Sequence, residues 1–245
     1  MEKSIEYLQH VSQLINQAAR SQLENVNALA RAMADTIKAG RTVFLFGTGH
    51  SSLLAQELFY RAGGLVRIQP ILESALMLHE SASKSTQMER MPQYAEIIVE
   101  HYGVTQGDLI LIISNSGRNP LIVELAMRAK AEGCRVAALI SLAHSCGGAS
   151  RHESGLRLFE AADIVLDNLG VPGDACIAYE GFPGLAAPTS TVIGAALLQA
   201  AAAQTVQYML DDGAAPEVFI SANVDGGDAK NQAYLDQYKG VIRFL

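Results

Sequence analysis

Two short segments hold the residues with the clearest chemistry. Gly47-Thr48-Gly49-His50-Ser51-Ser52 brings two glycines, three hydroxyls and an imidazole together, and Ser114-Asn115-Ser116-Gly117-Arg118-Asn119 adds two hydroxyls, two side-chain amides and a glycine. Glycine lets the chain turn sharply and approach a ligand closely. Hydroxyls, side-chain amides and the free amides at a helix start are donors that suit an anion with several acceptor oxygens. A phosphate monoester fits that donor set, and the expected phosphate contacts are Gly49, His50, Ser51, Ser52, Ser114, Asn115, Ser116, Gly117 and Asn119. A dinucleotide-binding turn needs a third glycine three residues after Gly49, where Ser52 stands, and the lysine of a nucleotide-binding P-loop is missing. No cofactor and no metal are expected.

Both segments sit where a strand gives way to a helix. Thr42–Phe46 reads as a buried strand before the first turn, and Leu53 to Ala62 as a helix after it, stopped by Gly63-Gly64. Leu109–Ser114 is a continuous apolar strand, followed by the second turn and a helix over about 121–132 capped by Gly133. Leu65–Pro70, Arg135–Ser141 and Ile164–Asp167 read as further strands. Apolar strands alternating with helices predict an α/β fold whose parallel sheet is covered on both faces. In such sheets ligands sit beyond the carboxyl ends of the strands, near a switch in strand order.

The flanking segments read less sharply. Leu8, Val11, Ile15, Ala18, then Leu23, Val26, Ala30, Met33 and Ile37 recur at helical spacing, so 1–40 reads as one long amphipathic helix or two joined near Arg20-Ser21. This segment is expected to belong to the same domain and to pack across a subunit interface. Residues 41–210 form the binding domain, and 211–245 a tail packed on it or on a partner subunit. Gly184 to Thr191 reads as the start of a long Ala-rich helix, with Pro188 in its first turn and hydroxyls around it. Asn223, Asp225, Asp228 and Asn231 in the tail read as a solvated turn.

Composition excludes several classes. With 49% hydrophobic and 18% charged residues the chain is expected to fold compactly. A net charge of −7 and no Lys/Arg run argue against nucleic acid as a partner. The apolar stretch around 192–203 is too short to span a bilayer and is interrupted by Gln199. No secretory leader is expected at the amino terminus. Cys134, Cys146 and Cys176 lack paired or metal-like spacing, which fits a reducing compartment and a cytoplasmic location.

The paired turns resemble those of the sugar isomerase (SIS) domain family, whose signature is a Gly-x-Gly-x-Ser turn and a later Ser-x-Ser-Gly-x-Thr/Ser turn. The resemblance covers about residues 40–210, with Asn119 standing where many members have Thr or Ser. Members include phosphoheptose isomerase, arabinose-5-phosphate isomerase, the isomerase half of glucosamine-6-phosphate synthase and N-acetylmuramic acid 6-phosphate etherase. The run Ser-Asn-Ser-Gly-Arg-Asn looks closest to a bacterial subgroup apart from these enzymes. The resemblance implies a three-layer, flavodoxin-like sandwich with a five-stranded parallel sheet, amino-terminal helices and a carboxyl-terminal extension. It also implies a phosphorylated sugar as ligand and a homodimer or homotetramer.

The resemblance carries candidate acids and bases with it. Glu73 is similar in place to a glutamate of the arabinose-5-phosphate isomerases and of glucosamine-6-phosphate synthase, and His79 matches a histidine of the former. Asp174 stands in a place similar to another of their glutamates, and Thr189-Ser190-Thr191 is similar to a segment that faces substrate there. Glu80 opens a stretch, through Glu89, that looks like the acidic loop of the etherases, where a glutamate acts as base. Three readings follow: an aldose–ketose isomerase working through an enediol(ate), an etherase-type lyase, and a non-catalytic sugar-phosphate sensor. Glu57 reads as solvated.

Overall fold

The structure is a computed structural model and describes residues 2–245. Two helices, α1 (Lys3–Ser21) and α2 (Leu23–Lys38), open the chain. The break between them is fixed from outside. Gln22 is buried, and its Oε1 accepts the Asp167 amide at 3.0 Å, tying the junction to the far edge of the sheet.

The sheet contains β1 (Val43–Gly47), β2 (Ile68–Ile71), β3 (Leu109–Ile113), β4 (Arg135–Ile140) and β5 (Ile164–Asp167). All pairings are parallel and the order is β2-β1-β3-β4-β5. Continuous apolar runs such as Leu-Ile-Leu-Ile-Ile make this possible, because both faces of each central strand are covered. Leu109, Leu111 and Ile113 point into one core with Leu29, Met33, Leu54 and Leu198, while Ile110 and Ile112 point into the other with Ile98, Leu121 and Leu125. That is the period-two alternation of a strand read twice.

The helices that follow β1 and β2 are α3 (Ser51–Glu57), α4 (Ala82–Met88) and α5 (Tyr94–Tyr102). Then come α6 (Pro120–Ala131), the short α7 (Leu142–Cys146) and α8 (Leu158–Ala161), α9 (Ser190–Asp211) and α10 (Gly227–Tyr238). Helices α1, α2, α3 and α9 cover one face of the sheet, and α5, α6 and α8 the other. This is the expected three-layer, flavodoxin-like fold. The strand order reverses between β1 and β3, so both polar turns leave the sheet at its switch point.

Three segments depart from the sequence reading, the first being α3, which stops at Glu57, short of the expected Ala62. Residues 175–188 are an antiparallel hairpin of β6 (Ala175–Tyr179) and β7 (Phe182–Pro188), so Pro188 ends a strand and does not open α9. Its carbonyl accepts from the Tyr7 hydroxyl at 2.8 Å, which anchors the hairpin to α1. In the tail, Asn231 is not solvated: its side chain brackets Ile220 with hydrogen bonds of 2.8 and 3.0 Å. Phe219, Tyr238 and Ile242 pack with Val66 in a small core beside β2.

Candidate functional site

The first turn is built around close contact. A Cβ at Gly47 would lie 2.6 Å from the backbone carbon and oxygen of Ser51, so only glycine lets α3 begin there. Gly49 takes φ +55° and gives its amide to the Leu76 carbonyl at 2.9 Å. The Ser51, Ser52 and Leu53 amides close back on Thr48, Gly49 and His50. The Ser52 hydroxyl is buried and donates to the Gly49 carbonyl at 2.8 Å. The side chains that the turn presents to the cleft are Ser51 and the exposed His50.

The second turn keeps more of its donors open. Ser114 Oγ accepts the Gly117 amide at 3.2 Å, which folds the turn, and Gly117 holds φ +59°. Asn119 is the N-cap residue of α6 and Pro120 its first residue. The amides of Ser116, Arg118 and Asn119, and the half-buried Ser116 hydroxyl, make no hydrogen bond among the described residues. Open amides in the turn before α6, beside a free hydroxyl, are donors an anion can use, whereas α6 itself begins with Pro120, which has no amide, and Leu121, whose amide goes to Glu89. The Asn119 carbonyl oxygen is already taken, accepting from Arg151 at 2.9 Å.

Between the turns lies a cleft of about 120 Å³, lined by His50, Ser51, Asn115, Asn168, Asp174, Ser190 and Thr191 over a floor of Leu54, Ile113 and Leu139. Asn168 is buried and donates to Asn115 Oδ1 at 2.9 Å, which orients that amide. Asp174 caps α9 from the base of the hairpin. It accepts the Thr189 amide at 3.2 Å, the Ser190 amide at 2.9 Å, and the Ser190 hydroxyl. This presents Ser190 and Thr191 to the cleft and buries Thr189 behind them. Leu169, Asp174 and Ala187 hold φ of 59°, 69° and 61°, a costly conformation for residues with a Cβ. At Gly194 a Cβ would strike Leu54 at 2.6 Å, and this close packing brings α9 against α3.

The remaining acid and base candidates are scattered. Glu73 accepts from the Tyr94 hydroxyl and lies near Tyr102. Burial, reinforced by Glu73, pushes the Tyr94 phenol up, and burial followed by the Glu73 charge pushes Tyr102 up to about 12. His79 is exposed beside a neighbouring groove that also takes in Gly49 and Ser52. Glu80 is exposed and paired with Lys84 at 2.7 Å, a contact that holds its carboxyl below the usual range. Glu57 is not free in solvent, since it pairs with Arg61 and accepts from Gln199 at 3.2 Å. Asp174 alone among the four catalytic candidates lines the cleft.

Sequence reasoning missed two residues that brace the turns. Asn168 is one. The other is Glu89, whose carboxylate accepts from the Thr48 hydroxyl at 2.9 Å and whose backbone carbonyl takes the Leu121 amide at 3.2 Å. Burial pushes the Glu89 carboxyl up, partly offset by the Thr48 bond. The acidic stretch that ends at Glu89 was a signal, but its far end meets the turns and Glu80 does not.

A five-stranded parallel sheet with two polar turns at its switch point, and a polar cleft beside them, defines a three-layer α/β protein. The chain belongs to the SIS domain family, whose profile matches residues 6–141. It is 38% identical to a UPF0309 protein of Geobacillus thermodenitrificans over 98% of this chain and 96% of that one. It is 41% identical to a UPF0309 protein of Listeria monocytogenes over 98% and 97%. Among solved structures it is similar to phosphoheptose isomerase of Neisseria gonorrhoeae, with TM-score 0.55, 14% identity, and coverage of 86% of this chain and 97% of that one. Among the described residues no helix is long and apolar enough to cross a membrane.

Proposed function

We propose that this protein binds a phosphorylated sugar in the cleft and catalyses its aldose–ketose isomerisation through an enediol(ate). The observation that carries the reading is the second turn, with a free Ser116 hydroxyl and open Ser116, Arg118 and Asn119 amides just before α6. These donors, which adjoin the cleft through Asn115 without lining it, hold the phosphate together with Ser51, while Asn115, Ser190 and Thr191 in the cleft meet the sugar. Isomerisation needs a group to move a proton between adjacent carbons and another to serve the oxygens. His50 and Asp174 are the titratable side chains that line the cleft, and His79 borders the groove next to it. Family membership and the phosphoheptose isomerase fold are consistent with this reading.

A second reading is favoured by Glu89. A half-buried carboxyl with raised proton affinity, bonded to the first turn, suits base or acid work in an elimination. It supports an etherase-type lyase acting on an amino sugar phosphate, with Glu89 in the role expected of Glu80. Incubating the protein with a panel of sugar phosphates in D₂O separates the readings by NMR. Aldose–ketose interconversion, with any solvent deuterium taken up at the carbon next to the carbonyl, supports isomerisation. Release of a hydroxy acid from an ether-bearing amino sugar phosphate supports elimination. Binding without either supports a sensor and overturns the enzymatic proposal.

We also place the amino-terminal helices at a two-fold interface. Ile5, Leu8, Ile15 and Leu23 are 41–66% exposed, and Ile15 and Leu23 border an apolar groove between α1 and α9. Three unpaired cysteines fit a cytoplasmic location. A monomeric mass by light scattering at micromolar concentration would sink the interface.

A further inference from the structure

The polar groups that line the cleft fall into two sets, one that donates and one that accepts. Asn115 belongs to the first. Its Oδ1 accepts from Asn168 Nδ2 at 2.9 Å, so the group it keeps unbonded is its amide nitrogen, a donor, with the open Ser116 amide next to it in the chain. Asn168 spends its own Oδ1 on the Gly170 amide at 2.9 Å.

At the start of α9 the set is reversed. The Ser190 hydroxyl gives its proton to Asp174, so toward a ligand its oxygen can only accept. A carboxylate has about four lone-pair sites. Asp174 fills two on Oδ1 with the Thr189 and Ser190 amides, at 3.2 and 2.9 Å, and one on Oδ2 with that hydroxyl. Its open site is therefore on Oδ2, beside Ser190 Oγ. Asp174 is the only carboxylate that lines the cleft; no lysine or arginine does, and His50 is the one lining side chain able to take a positive charge. The Asp174 charge reaches Tyr7 and Cys176, whose proton affinities are raised by burial first and by Asp174 as well. A phosphate held at the second turn is repelled by this carboxylate unless the ligand itself brings a cation to meet it. A sugar hydroxyl would serve one acceptor and leave the charge unanswered. An ammonium supplies three N–H donors and the opposite charge to the Oδ2 and Oγ pair.

We infer that Asp174 Oδ2 and Ser190 Oγ hold the protonated amine of an amino sugar phosphate whose phosphate lies on the second turn. The inference rests on the sugar-phosphate reading and narrows it to sugars whose amine is free. Asp174 then anchors the ligand, and His50 is the titratable lining group left to move a proton. An N-acetylated sugar of the same shape has no charge to give the carboxylate and binds as a neutral one does.

Calorimetry at neutral pH with glucosamine 6-phosphate, glucose 6-phosphate and N-acetylglucosamine 6-phosphate tests this, with the galactose series as a second configuration. Within each series the phosphate and ring are shared and one substituent differs. In wild type the free amine is expected to bind about tenfold or more tightly than either neutral partner in at least one series, because its bond is to a charged group. D174N keeps an oxygen for the α9 amides and loses the charge, so it is expected to abolish that preference. Equal melting of the two proteins without ligand shows that the variant is folded, and the wild-type comparison stands without it. A hydroxyl sugar bound as tightly as its amine in both series overturns the inference and leaves the sugar-phosphate reading in place. An N-acetyl sugar bound as tightly as its amine also overturns it, since charge would not be what is recognised. A preference that survives in folded D174N overturns the role of Asp174. No binding by any phosphorylated member overturns the sugar-phosphate reading and the inference with it.

Discussion

The two polar turns look alike in composition and behave differently in the fold. The first gives its Gly49 amide to Leu76, turns its Ser51 and Ser52 amides back on Thr48 and Gly49, and spends its Ser52 hydroxyl on Gly49. The second closes with one bond, Gly117 to Ser114, and leaves the Ser116, Arg118 and Asn119 amides open. The cause is the helix that each one feeds. α3 is seven residues long and entered through a tight turn, while α6 has twelve residues and begins with a proline that has no amide to satisfy. On our proposal the first turn is a wall whose glycines set its shape, and the second is the receiver of charge.

The sharpest way to break the wall is Gly47→Ala. Its Cβ would meet Ser51 backbone at 2.6 Å, and neither side can yield cheaply. A loss of about 3 kcal/mol in denaturant unfolding is expected, with ligand binding lost along with the turn. In the receiver, Ser116→Ala should cost about 1.5–3 kcal/mol of sugar-phosphate affinity with little change in melting, because a bond to a charged group is removed. Ser52→Ala should do the reverse, lowering stability by about 1 kcal/mol while leaving affinity nearly unchanged. Equal affinity losses in the two serine variants would erase the distinction between the turns.

The wall opposite is tested by Asp174→Ala, which removes the cap of α9 and frees Ser190. It should lower stability by about 1–2 kcal/mol and weaken sugar binding, both measurable in one calorimetric series. The smallest effect expected is that of Glu89→Gln. Burial raises this carboxyl above the ordinary value of about 4.3, so its stabilising contribution is full below that pH. The contribution is lost as pH rises through the folded value. The melting temperature of wild type should therefore fall relative to the variant between acid and neutral pH, and parallel curves would contradict the assignment.

The central strands were legible because each is an apolar run ended by a polar turn, and the order of the sheet then placed both turns together. The hairpin at 175–188 was not, since Gly181, Pro183, Gly184 and Pro188 interrupt any alternation and Pro188 mimics a helix start. The α9 cap escaped for a related reason: Asp174 lies 16 residues before Ser190 and reaches it only through the hairpin. Glu89 and Asn168 meet the turns through the packing of α6 and the ends of β4 and β5, which no local pattern encodes. Ser51, Asn115, Ser190 and Thr191 were named from the sequence and line one cleft, while Glu73 and Glu80 were named and lie against Tyr94 and Lys84.

The central claim is that the cleft recognises the phosphate of a sugar phosphate, and a thermal-shift screen of sugar phosphates, each paired with its unphosphorylated sugar, tests it most directly. Stabilisation by phosphorylated members alone, lost in Ser116→Ala and kept in Ser52→Ala, is the predicted result. Equal shifts from phosphorylated and plain sugars, or no shift across the panel, would contradict it.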